Sequence, residues 1–228
     1  MEKDNYNELE ESSELRDKLH IMYLKSLLIM ASELDLVDMY KDADDYGWFI
    51  DTLSIALEEE PAFFLLDERF LQMASEVLES KRFEYRTLPN YNDVANTAVG
   101  LINELRALSP YQKNLKVQNY IAWNLDTRNL PANLSMQDLY RTLGYDAIVI
   151  DACMDGEVPE ITTPFFIAST NYIASIAPEF YDASPLARET TLTHLEEESK
   201  KRGFWNYKKR EAAKKTVKEI QKIKVKEE

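Results

Sequence analysis

The sequence predicts an all-α fold, a helical bundle of about eight helices ending in a basic C-terminal helical arm. Three observations carry this reading. Glycine is scarce, with 5 among 228 residues, whereas strand-rich folds need it for frequent tight turns. Proline stands repeatedly behind a capping hydroxyl, in Ser109-Pro110, Thr163-Pro164 and Ser184-Pro185, with Glu60-Pro61 a weaker version. The proline ring presets the helical φ and loses no hydrogen bond in a first turn, while the hydroxyl can accept from an orphan N–H. Third, apolar residues recur at helical spacing along most of the chain. With 45% hydrophobic and 11% aromatic residues, the chain can bury a sizeable core as one domain or two small ones.

Taken in order, residues 1–13 read as an acidic tail. After Ser12-Ser13, Leu15, Leu19, Met22, Leu27, Met30 and Leu34 form the first apolar stripe. An acidic turn at 41–46 leads to a second, with Trp48, Phe49, Leu53, Ala56 and Leu57. Phe63, Leu66, Phe70, Met73, Ala74, Val77 and Leu78 mark the next, read as one continuous helix at ~3.6 residues per turn. Val94, Ala98, Leu101, Ile102, Leu105 and Leu108 make a fourth, ended by Ser109-Pro110. The following helix, with Leu115, Tyr120, Ile121 and Leu125, gives way to a loop that begins at Thr127 and contains Pro131. Ser135 with Asp138 three residues on opens a short helix, which Gly144 is expected to close. The run at 145–152 reads as helix or as an extended core segment, since an isolated strand would have no pairing mate. Residues 155–163 form the best internal loop and a candidate subdomain break. Two further helices are read at 164–177 and 185–201.

Charge changes sign along the chain. Residues 1–199 carry a net of −22 and residues 200–228 a net of +8, within a total of −14. The acidic body repels nucleic-acid phosphates and attracts basic partners, while the arm does the reverse. The N-terminus is acidic where a secretory signal would be basic, and the greasiest run, 19–31, includes His20, Lys25 and Ser26. No membrane span is expected, and a cytoplasmic location is. One cysteine rules out an intrachain disulfide framework.

Catalytic chemistry finds little support. Phosphate-binding loops need clustered glycines, and the closest pair, Gly144 and Gly156, lies far apart. One Cys and two His cannot build a structural zinc site within one chain. No G-x-S-x-G elbow exists. Cys153, flanked closely by Asp151 and Asp155, reads as a small buried apolar residue, and His194 as a surface residue. Asp17 with His20, Asp35 with Asp38, the cluster Asp42, Asp44 and Asp45, and the group Asp151, Asp155 and Glu157 could hold a metal only as isolated carboxylates. A solvated acidic face accounts for each. No cofactor or metal is expected.

The arm holds the one constellation with physical content. Phe204, Trp205 and Tyr207 sit between the basic triplets Lys200, Lys201, Arg202 and Lys208, Lys209, Arg210. Such a pattern can stack bases and meet phosphates, lie on an anionic membrane surface, enter an acidic protein groove, or pack on the protein's own body. Its helical seam, Ala213, Val217, Ile220 and Ile223, is too thin to hold a helix in water unaided, so it must dock or fray. The expectation is a non-enzymatic interaction or assembly protein that binds a protein partner or a second copy, with those nine residues as the contact set. A nucleic-acid-binding regulator acting through the arm and a carboxylate-metal enzyme are the alternatives.

Overall fold

The computed structural model describes residues 13–34, 46–85, 89–201 and 207–223. Of these, 84% lie in ten α-helices, and no strand occurs among them. The helices are α1 (Ser13–Leu34), α2 (Tyr46–Glu59), α3 (Glu68–Tyr85), α4 (Pro89–Ala107) and α5 (Pro110–Thr127). A 3-10 turn, Phe63–Leu65, precedes α3. The second half contains α6 (Met136–Met154), α7 (Thr163–Ile176), α8 (Glu179–Ala183), α9 (Pro185–Lys200) and α10 (Tyr207–Lys222). The helical fold expected from glycine scarcity and apolar spacing is the fold observed.

The helix starts follow from their caps. Ser109 and Gln112 cap α5 reciprocally: the Gln112 N–H donates to Ser109 Oγ at 3.3 Å, and the Ser109 N–H donates to Gln112 Oε1 at 3.0 Å. Ser184 Oγ accepts from the Ala187 N–H at 3.2 Å, and Ser135 Oγ accepts from the Asp138 N–H at 3.1 Å. Two starts differ from the sequence reading. At Thr163-Pro164 the helix begins one residue early, with Thr162 as the N-cap and Pro164 inside the first turn. At Glu60-Pro61 no α-helix begins. The chain makes a turn and the short 3-10 segment there, and α3 starts only at Glu68. Its cap is Asp67, which accepts from the Arg69 N–H at 2.9 Å. The continuous stripe read from Phe63 to Leu78 is therefore two elements, because Phe63 and Phe64 are buried in the 3-10 turn and Phe70 stacks on Phe63 at 4.8 Å.

Gly144 does not close α6. It is buried within a helix that runs on to Met154, so residues 145–152 are helical. The closing glycine is Gly156, at φ +77°. There the Glu157 N–H reaches Ala152 O at 2.7 Å and the Gly156 N–H reaches Cys153 O at 3.1 Å, the double closure of a Schellman motif. Asn129 does the same for α5 at φ 55°, with Leu130 N–H to Leu125 O at 2.8 Å and Asn129 N–H to Asp126 O at 2.9 Å. Asparagine is the commonest non-glycine residue in such a position because its short amide tolerates the left-handed region.

The chain divides into two compact units, one made of Met1–Tyr23 with Asn124–Glu228 and the other of Leu24–Trp123. The division falls inside α1 and α5, and the loop at 155–162 lies within the first unit. That unit buries Leu15, Leu19 and Met22 of α1 with Val149, Ile150 and Cys153 of α6, Phe166 and Tyr172 of α7, and Leu195 of α9. The second unit buries Phe49, Ile50 and Leu53 of α2 with Phe63, Phe64, Phe70, Ala98 and Ile102. Met30 and Leu115, both placed on apolar stripes above, are 38% and 46% exposed. In α1 the buried apolar positions after the division are Leu24, Leu28, Ile29 and Ala31 instead.

Candidate interaction surfaces

In the first unit α10 docks rather than frays. Ala213, Thr216, Val217 and Ile220 recur at i, i+3, i+4 and i+7 and are buried, as the helix packs on α9 and α7. Polar links fix its register. The Thr216 hydroxyl bonds to Asn171 Oδ1 at 3.4 Å, and Asn171 Nδ2 donates to Thr127 O at 2.8 Å. Arg188 Nη2 donates to Ile220 O at 3.2 Å, and Lys215 Nζ donates to Asn129 Oδ1 at 3.3 Å. The seam Ala213, Val217 and Ile220 thus belongs to the core of this unit.

Helical geometry then turns the remaining residues outward. Glu211 pairs with Lys214 at 3.0 Å and Glu219 with Lys222 at 2.9 Å. Among the described residues, Lys208, Lys209 and Lys218 have no carboxylate in ion-pair range. Lys208 and Lys209 occupy the first turn of α10, which contains no acid. Cations there oppose the positive end of the helix dipole, so the site is electrostatically uncompensated. Beside this turn lies a groove of about 680 Å³, whose charged wall is Lys208, Lys209 and Lys215 with Glu211 among them and whose apolar wall includes Leu130, Pro131 and Ile167.

The predicted contact set is divided by the structure. Lys208, Lys209 and Tyr207 come together at the groove, Tyr207 being 56% exposed, with the Arg210 guanidinium 5.6 Å above its ring. Lys200 and Lys201 end α9 and pair within it, Lys200 with Glu196 at 3.8 Å and Lys201 with the buried Glu198. Arg202, Phe204 and Trp205 lie outside the described residues. The sequence reading missed Lys215, which stands seven residues after Lys208 and so shares its helical face.

The second unit presents carboxylates at its grooves. Lys25 is 1% exposed and donates to both Glu60 carboxylate oxygens at 2.9 Å, while the Tyr120 hydroxyl donates to Glu60 Oε2 at 2.9 Å. A buried lysine is tolerated only with such a partner. Glu58 and Glu59 end α2 with no base in its last turn, and with Glu104 of α4 they line two grooves of about 390 and 350 Å³ that share Pro61 and Lys116. No cation lies within ion-pair range of these three glutamates among the described residues.

The other chemistry considered above is accounted for structurally. Cys153 is fully buried, its thiol pushed up to about 11 by burial despite the Thr191 hydroxyl at 3.4 Å. His194 stands edge-on to Phe166 at 4.8 Å and is half-buried, not a surface residue. Asp151 receives a hydrogen bond from the Tyr23 hydroxyl, and desolvation, aided by Asp155, holds its carboxyl above the ordinary range. Asp35, Asp38, Asp42, Asp44 and Asp45 lie outside the described residues. Among the described residues no three His, Cys, Asp or Glu side chains gather as metal ligands, and no helix is long and apolar enough to cross a membrane. No protein family, curated protein or solved structure matches the chain.

Proposed function

We propose that this chain is a non-enzymatic interaction and assembly protein, an adaptor, scaffold or ring component, whose basic α10 face meets an acidic protein surface, a second copy included. The observation that supports this most is the uncompensated cationic turn of Lys208 and Lys209 beside an apolar-walled groove, on a helix anchored by its buried seam. An apolar wall framed by charge is the composition of a protein interface. A net of −22 over residues 1–199 opposes the approach of phosphates and favours a protein partner over nucleic acid.

Light scattering on the full chain tests this, at low and high salt, with and without a short DNA duplex. The expected result is a mass that rises with protein concentration at low salt, falls back at high salt, and is unchanged by the duplex. A chain that stays at 26.5 kDa alone and gains mass only with duplex would replace this reading with a nucleic-acid-binding regulator.

A further inference from the structure

Helix α5 carries a ridge of exposed side chains over residues 110–123. Over residues 110–123 the only charged side chains are Lys113 and Lys116. Tyr111, Leu115, Asn119 and Trp123 follow one another every four residues, which makes a single ridge on the helix surface. Tyr111 is 76% exposed, Leu115 46% and Trp123 43%. Charge-poor surfaces with exposed aromatics are typical of the centre of protein interfaces. The two grooves beside this ridge hold Glu58, Glu59 and Glu104.

The electrostatics of that rim are unfavourable as they stand. Glu58 and Glu59 occupy the last turn of α2, where the helix dipole is negative, with no base in that turn and the single Lys116 shared between the two grooves. The first turn of α10 carries the complementary fault, Lys208 and Lys209 at the positive end of a dipole with no acid in that turn and with Glu211 just after it paired to Lys214. Each defect is what the other needs: a helix C-terminus bearing carboxylates against a helix N-terminus bearing ammonium groups.

Building on the assembly reading above, we infer that the α5 ridge and its acidic grooves are the docking site for the start of α10 of a second copy. Lys208 and Lys209 of that copy meet Glu58, Glu59 and Glu104, and its exposed Tyr207 packs on the ridge near Trp123. The two surfaces are different patches of the chain, so the contact is heterologous. Every added copy offers a free groove and a free α10, and growth proceeds to a closed ring or an open filament.

Two variants of the full chain, E58K/E59K and K208E/K209E, test this in sedimentation and light scattering at low salt, with circular dichroism melts to verify that both are folded. All four positions are exposed and each reversal suits the adjoining helix dipole, so neither variant should melt below the wild type. The expected result is that each variant alone stays at 26.5 kDa at concentrations where the wild type gains mass, and that an equimolar mixture regains that growth. Mixing restores growth because the unaltered groove of one variant takes the unaltered α10 of the other, and the two reversed surfaces are again of opposite sign. Loss of association in K208E/K209E but not in E58K/E59K would overturn this docking site and leave the assembly reading standing. A wild type that never gains mass, or one whose association neither variant reduces, would overturn both. Two silent variants whose mixture fails to associate would also refute the pairing.

Discussion

The most exacting prediction concerns Arg128, whose side chain is fully buried against a fully buried Asp146. Its guanidinium donates through Nη1 to Asp146 Oδ1 at 2.7 Å and through Nη2 to Oδ2 at 2.6 Å. Its Nε donates to Asn124 Oδ1 at 3.1 Å, and the group lies 3.7 Å above the centre of the Tyr172 ring. Asp146→Ala removes the carboxylate that grips both terminal nitrogens of a cation that water cannot reach. Breaking such a pair from one side costs about 3–5 kcal/mol, since an uncompensated charge is left in a low-dielectric interior. At about 2–4 °C per kcal/mol for a chain of this size, the melting temperature should fall by roughly 6–20 °C. Arg128→Met combined with Asp146→Leu should recover much of that loss, because both charges and their desolvation go together. Thermal melts followed by circular dichroism, and urea unfolding, read both values. A single-variant loss under about 1 kcal/mol, the range of an exposed pair, would refute the claim that this interior is dry and depends on the pairing.

Four further outcomes follow from particular geometries. Gly156→Ala forces a Cβ into φ +77° and within 3.3 Å of Leu186 Cδ1, and should cost about 1–2 kcal/mol in urea unfolding; Gly100→Ala, with nothing within 4 Å of the new Cβ, should stabilise by about 0.5–1 kcal/mol. Ile220→Ala should cost about 2–5 kcal/mol, as a fully buried core truncation does, and a negligible loss would mean that α10 is a detachable arm. Asp67→Ala removes the α3 cap and should cost about 1 kcal/mol at neutral pH. The Arg69 side chain holds the Asp67 carboxyl below its ordinary value of 3.8, so this stabilisation is present above that pH and is lost as pH falls through the lower folded value. Wild type and variant stabilities should therefore converge in acid, and a constant gap down to pH 2 would contradict the ion pair.

Local signals were legible wherever the chemistry is local. Ser109, Ser135 and Ser184 cap the helices they were expected to open, since a cap needs only a hydroxyl and an N–H a few residues away. The stop signals were harder. Gly144 and Gly156 look alike in the sequence, and only Gly156 takes the left-handed conformation, because Gly144 sits on the buried face of α6. Asn129 gave no warning of its own, since its amide is common in ordinary loops. Of the contact residues, Tyr207, Lys208 and Lys209 follow from the charge pattern, while Lys215, Leu130 and Pro131 join them only through the packing of α10.

What the amino-acid sequence alone determined is the helical class, several of the helix starts and the separation of an acidic body from a basic C-terminus, because propensity, capping and charge act over a few residues. The tertiary structure alone decided which apolar positions face inward, as Met30 and Leu115 turn out to solvent while Lys25 turns in to Glu60. It also decided that Arg128 and Asp146 neutralise each other across 18 residues, and that Glu58, Glu59, Lys208 and Lys209 have no ion-pair partner among the described residues. Burial and pairing are properties of where the helices come to rest against one another, and no spacing along the chain encodes that directly.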